Sequence, residues 1–104
     1  MLDIKPWLEI TGYKVAEERF LKPPELPYII FTEVTNISGA DDKNCIADRN
    51  ISIEHYSEKI SKVSEKRIED LLNEKAIEFK KDRTWIESEK FFQTVYNFSL
   101  IEKI

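Results

Sequence analysis

At 104 residues, with 41% hydrophobic and 12% aromatic side chains, the chain suits a single domain with a sizeable core and does not read as a disordered segment. Twenty acidic against 16 basic residues leave a net charge of -4, which argues against general nucleic-acid affinity because that rests on a basic face. With one His, one Cys and two Gly, most catalytic frameworks are missing from the start, and the composition points to a protein that works through its surfaces.

In chain order, Met1-Leu2-Asp3-Ile4-Lys5-Pro6 lacks the basic segment and apolar run of a signal peptide. No apolar stretch approaches the roughly 20 residues needed to cross a bilayer, so a soluble protein made inside a cell is expected. Asp3 is placed to cap a short helix carrying Trp7, Leu8 and Ile10, with Pro6 in its first turn and Gly12 past its end. Tyr13 to Phe20 reads as extended. Pro23, Pro24 and Pro27 then hold the chain extended into a first strand, Leu26 to Val34. That strand is apolar on both faces, with Tyr28, Ile30 and Val34 on one and Ile29 and Phe31 on the other. A polar loop, Asn36 to Asp48, leads to a second strand, Arg49 to Ser57. Here Ile51, Ile53 and His55 face one way and Asn50, Ser52 and Glu54 the other.

Ser61 to Leu72 reads as an amphipathic helix capped by Ser61, with Ile60, Ser64, Ile68, Leu71 and Leu72 along one stripe. Ile77 falls on the opposite side from Ile68, so the helix is expected to end near Asn73. Ala76 to Glu87 and Phe91 to Ile101 read as a hairpin turning through Ser88-Glu89-Lys90. Phe92, Tyr96, Phe98 and Leu100 share one parity, with Val95 and Ile101 on the other.

Groups that carry chemistry are sparse. Gly12 and Gly39 stand alone, so no phosphate loop forms, and no paired His or Cys supports a zinc site. Cys45 has no disulfide partner, which suggests a reducing compartment, and its polar loop reads as the place of an incidental thiol. Asp41, Asp42 and Asp48 lack the spacing of a calcium loop and read as solvated. His55 lies on the apolar parity, as a core or interface histidine does; the enzymatic alternative makes it a general base beside a carboxylate. Glu54, Glu87 and Glu89 read as surface carboxylates. Trp85 and Tyr96 read as core or interface aromatics rather than as a nucleobase platform. A non-enzyme without metal or cofactor is expected.

The order helix, extended segment, strand, loop, strand, helix, hairpin resembles the small tail-terminator proteins of long-tailed bacteriophages and their prophages, which complete the tail and join it to the head. The resemblance lies in Pro27-Tyr28-Ile29-Ile30-Phe31, Gly39-Ala40-Asp41, Ile53-Glu54-His55-Tyr56-Ser57, Trp85-Ile86-Glu87-Ser88-Glu89 and Tyr96-Asn97-Phe98. It spans most of residues 1–104 and implies a single α+β domain. Its mixed or antiparallel sheet of about four strands would be packed by a main helix and a short N-terminal helix. It further implies a ring, commonly a hexamer, that caps the tail tube in the tail or neck of a virion assembled in the bacterial cytoplasm. The implied partners are further copies of the chain, the tail-tube protein and the head–tail connector proteins, without membrane or sequence-specific nucleic acid.

Doubly apolar strands exceed what a few helices can cover, and burial between subunits is the natural remedy. Ile29, Phe31, His55, Val95 and Ile101 are therefore the expected interface residues. The loop residues Gly39, Asp41, Asp42, Lys43 and Asn44 are expected to be mobile in the isolated subunit and to face the partner. The competing reading is a small protein-binding or regulatory module, which would be monomeric or dimeric.

Overall fold

The computed structural model describes residues 1–39 and 46–103. Helix α1 (Ile4–Glu9) is followed by β1 (Lys14–Glu17), β2 (Tyr28–Ser38) and β3 (Ile46–Ser57), then α2 (Lys62–Glu74), β4 (Lys80–Ile86) and β5 (Phe91–Lys103). The five strands form one mixed sheet in the order β1-β2-β3-β5-β4. β1 runs parallel to β2, and every other pairing is antiparallel. The α+β class and the element order are as the sequence implies; the added strand is β1, in the segment read only as extended.

Strand parity decides what the sheet buries. Ile29 and Phe31 of β2, Ile51, Ile53 and His55 of β3, and Tyr96 and Phe98 of β5 lie on one face through their cross-strand registers. Ile4, Trp7 and Leu8 of α1 and Ile68, Leu71 and Leu72 of α2 close over that face to make the core. Trp7 meets the Phe98 ring edge-on at 6.2 Å. Both helices thus lie on the same side, and the opposite face of the sheet carries no helix.

Local chemistry sets the ends of α2. The Ser61 hydroxyl accepts from the Ser64 N–H, as its cap role requires. At the other end the Ile77 N–H reaches the Leu72 carbonyl and the Ala76 N–H the Asn73 carbonyl, the paired bonds of a Schellman closure. Ala76, at φ 54°, takes the left-handed closing position, just beyond the end expected near Asn73. That closure shifts the start of the hairpin. Ile77 and Phe79 pack against the core ahead of β4 and do not pair within it. Ile60, expected on the buried stripe, is exposed, because it precedes the helix.

The predicted polar loop is the largest change in boundary. Asn36 pairs with Asp48 and Ile37 with Ala47, so both flanks of that loop are strand. Gly39, at φ 80°, is exposed at the end of β2. Asp41, Asp42, Lys43, Asn44 and Cys45 lie outside the described residues.

Candidate assembly surface

Of the five expected interface residues, three are internal. Ile29 and His55 are fully enclosed and Phe31 is 4% exposed, all beneath the helices. β2 is apolar on both faces, and the helices cover the Ile29–Phe31 face and leave the Tyr28–Ile30–Val34 face open. A charge at Phe31 would therefore enter the core of the subunit and not an interface. Val95 is half-buried and Ile101 is 75% exposed, both on the open face.

That open face has two characters. At one end Phe20 meets Tyr28 at 5.3 Å, Tyr28 meets Tyr56 at 5.2 Å and Tyr56 meets Phe91 at 5.0 Å. These rings cover one another, so Tyr28 is buried without any helix above it. The Tyr56 hydroxyl donates to Glu54 and accepts from Gln93. Burial, with the bond to Glu54, raises its pKa. At the other end the central strands run past their neighbours as a three-stranded ribbon with Val34, Ile46 and Ile101 exposed on this face.

Polar groups replace hydrophobic packing beneath this ribbon. Arg49, 5% exposed, binds Glu33 of β2 through Nε and Nη2, both at 2.8 Å, and Glu102 of β5 through Nη1 at 2.7 Å. The same Nη1 donates to the Leu2 carbonyl, and the Leu2 N–H returns a bond to Glu102 at 3.0 Å. Hydrogen bonding from Arg49 holds the Glu33 carboxyl below the usual carboxylate range. One guanidinium thus joins three strands and the N-terminal segment. The sequence carried a signal for this: Arg49 continues the inward parity of Ile51, Ile53 and His55, two residues beyond where that alternation was read.

Glu65 on α2 is the second buried charge that sequence reading missed. Its carboxylate accepts from Arg83 at 2.6 and 2.8 Å and from Thr94 at 2.9 Å, and it pairs with Lys81 at 3.0 Å. Burial pushes its pKa up, but the bonds from Arg83, Lys81 and Thr94 outweigh that and hold it at about 2. Three residues ahead of Ile68 and seven ahead of Leu72, it borders the apolar stripe, and that position was the available signal. Lys81 also reaches Glu69, which accepts from the Tyr96 hydroxyl at 2.8 Å. Every member of this cluster is satisfied, so it fastens α2 to β4.

His55 differs: neither ring nitrogen has a hydrogen-bond partner among the described residues. Burial depresses its pKa, with Glu65 opposing and Arg83 and Lys81 adding to the effect. Tyr96 is enclosed, and Trp85 packs on Phe92 at 4.8 Å while donating to Glu87. Among the described residues no three His, Cys, Asp or Glu side chains converge as a metal-binding group. No described helix is long and apolar enough to cross a membrane.

No protein-family model matches the chain, and no curated protein matches it in sequence. Among solved structures, the fold is similar to that of a chain in the virion of a native gene transfer agent (GTA) particle. The TM-score is 0.60 and the sequence identity 13%, over 93% of this chain and 84% of that one. At that identity the likeness is one of fold: this α+β arrangement of mixed sheet and one-sided helices also occurs in a chain of that virion.

Proposed function

We propose that this chain is a structural component of a phage-like virion, and within it a tail terminator: a ring, commonly a hexamer, that caps the tail tube and joins tail to head. The observation that carries the reading is the fold shared over 93% of the chain with a component of the gene transfer agent virion. The element order and the motifs of the resemblance support the narrower assignment, as does a sheet with one face left without helices. The mechanism is steric and needs no catalytic group. A ring matched to the tube's symmetry covers the growing end, and the segment containing Gly39, Asp41, Asp42, Lys43 and Asn44 faces the tube or the head–tail connector.

The test combines mass and morphology. Purified protein, alone and mixed with tail tubes, is sized by light scattering and viewed by electron microscopy. The expected result is a ring whose mass is a multiple of 12.3 kDa, seated at one end of each tube. Deleting the gene from its phage or prophage should give tails of uncontrolled length or tails that fail to join heads. A protein that stays monomeric with tubes present, and tails unaffected by the deletion, would overturn the reading in favour of a protein-binding module.

A further inference from the structure

The strands differ in length in a way that leaves two matched edges. β1 pairs only with Tyr28–Phe31 of β2, and β4 only with Phe91–Asn97 of β5. β3 is paired on both sides from Ile46 to Tyr56. Thr32–Ser38 and Phe98–Lys103 therefore flank β3 as the two outer strands of a ribbon, each with one side uncovered.

The backbone groups that face outward follow from one bond. The Phe31 carbonyl accepts from the Glu18 N–H on the β1 side at 2.9 Å, so odd-numbered residues of β2 point away from β3. By strand alternation, Glu33, Thr35 and Ile37 turn their N–H and C=O groups to the free side. Carried through the registers Phe31–Ile53 and Ile53–Tyr96, the same alternation turns Ser99, Ile101 and Lys103 outward from β5. Each edge thus offers three donors and three acceptors over about 13 Å, at roughly 3.3 Å per residue. None of these outward backbone groups is hydrogen-bonded to another described residue.

Side chains separate these edges from the protected ones. The outermost strands are blunted: β1 has four residues, and β4 carries Lys80, Lys81, Asp82 and Arg83. The overhangs lack proline, and their carboxylates, Glu33 and Glu102, are turned inward onto Arg49. Apart from Lys103 at the end of β5 and small polar residues, what they expose is Val34 (65%) and Ile101 (75%) on the open face, with Ile37 (58%) on the other. Beside the β5 overhang runs a groove of about 640 Å³, floored by Phe98–Ile101 and walled by Ile77 and Phe79.

We propose that copies of this chain join edge to edge, the β2 overhang of one copy entering the groove and hydrogen-bonding to the β5 overhang of the next, so that the sheet continues from subunit to subunit. This rests on the self-association reading above and assigns the surface it uses. The contact is between two different edges, so it is heterologous and propagates until rotation closes a ring. β2 and β5 both run antiparallel to β3. Rotation about an axis along the strands therefore sets β2 of one copy parallel to β5 of the next, with Val34 level with Ser99 and diagonal to Ile101 on the open face.

The experiment uses the full chain carrying Cys45→Ser. The double variant Val34→Cys/Ser99→Cys, oxidised mildly with diamide and separated under denaturing, non-reducing conditions, should give a ladder of disulfide-linked oligomers ending at the ring number, and neither single variant should give linked species. Thr35→Pro deletes an outward N–H and should reduce the assembly to a 12.3 kDa monomer with an unchanged circular dichroism spectrum. If that variant fails to fold, Val34→Lys and Ile101→Lys report on the same edges through exposed side chains. Each should abolish assembly, and Val34→Lys/Ile101→Glu should restore it. Rings that form in the wild type, persist in these variants and give no ladder overturn the edge contact while leaving the ring reading intact. Dimers from Val34→Cys alone indicate β2-to-β2 pairing and overturn the heterologous arrangement. A wild type that never assembles, tubes included, overturns both.

Discussion

His55 stands between Ile29 of β2 and Thr94 of β5 in the strand registers, with the Tyr13 ring 6.3 Å away. Its ring is shut away from water and its nitrogens lack partners among the described residues, so protonation there is unfavourable and the folded pKa lies below the ordinary histidine value. The unfolded chain then binds a proton more readily than the native one. The stability this group supports is complete above the unfolded value of about 6.5 and is lost as pH falls from there toward the depressed folded value. Since the chain has one histidine, that window is clear of other side chains with ordinary values. Denaturant titrations from pH 7 to pH 5 should show falling stability in the wild type and a flattened slope in His55→Leu. Equal slopes in the two proteins would contradict this account. The carboxylate Glu65 acts lower: its folded pKa of about 2 lies under its ordinary value, so its contribution disappears only as pH falls below the usual carboxylate range.

Helix α2 is held in two ways, by the apolar residues Ile68, Leu71 and Leu72 and by Glu65 and Glu69 reaching the cations of β4. The second fastening is asymmetric. Removing Arg83 leaves the buried Glu65 carboxylate short of its bidentate partner, whereas Lys81 shares its charge between two carboxylates and is partly solvated. Arg83→Ala should therefore cost about 1–3 kcal/mol and Lys81→Ala clearly less, in chemical denaturation at pH 7. A larger loss from Lys81→Ala would show that the lysine is the principal counter-ion. Periodicity made α2 itself legible, because its apolar stripe repeats at helical spacing. The cations were not legible, because Lys81 and Arg83 read as an ordinary charged strand until the β4–β5 register sets them opposite Tyr96 and Thr94.

For the molecule as a whole, the sheet outruns its helices, and Arg49 stabilises the part that extends beyond them. Without its guanidinium, Glu33 and Glu102 would face each other across β3 with no cation between them. Arg49→Met should destabilise the fold by about 3–5 kcal/mol, the usual result of stranding buried charges. Local opening should appear first in the ribbon. Amide exchange is expected to accelerate most in 46–50 and 99–103, while β3 near Ile53 keeps its protection until global unfolding. Uniform acceleration across the sheet would mean that Arg49 serves the whole core and not the overhang. A ribbon held rigid in this way is also what edge pairing between copies requires, since a frayed edge would have to be ordered on association.

By itself the sequence determined the local periods and stops: a helix capped at Ser61, strands whose parity sorts Ile29 and Phe31 from Tyr28 and Ile30, and a hairpin closing near Lys90. These follow from residues within a few positions of one another, where torsion preferences and apolar spacing act directly. Only the tertiary structure decided which face of the doubly apolar strand is covered. That depends on the side of the sheet to which α1 and α2 cross, and strand parity is silent about it. Ile29, Phe31 and His55 became core, and Val34 and Ile101 were left to solvent, for this reason. The unequal reach of β1, β2, β4 and β5 was likewise settled in three dimensions. Asn36 to Ser38 and Ile46 to Asp48 read as polar loop residue by residue, yet pair as strand because β3 offers both flanks a continuous ladder.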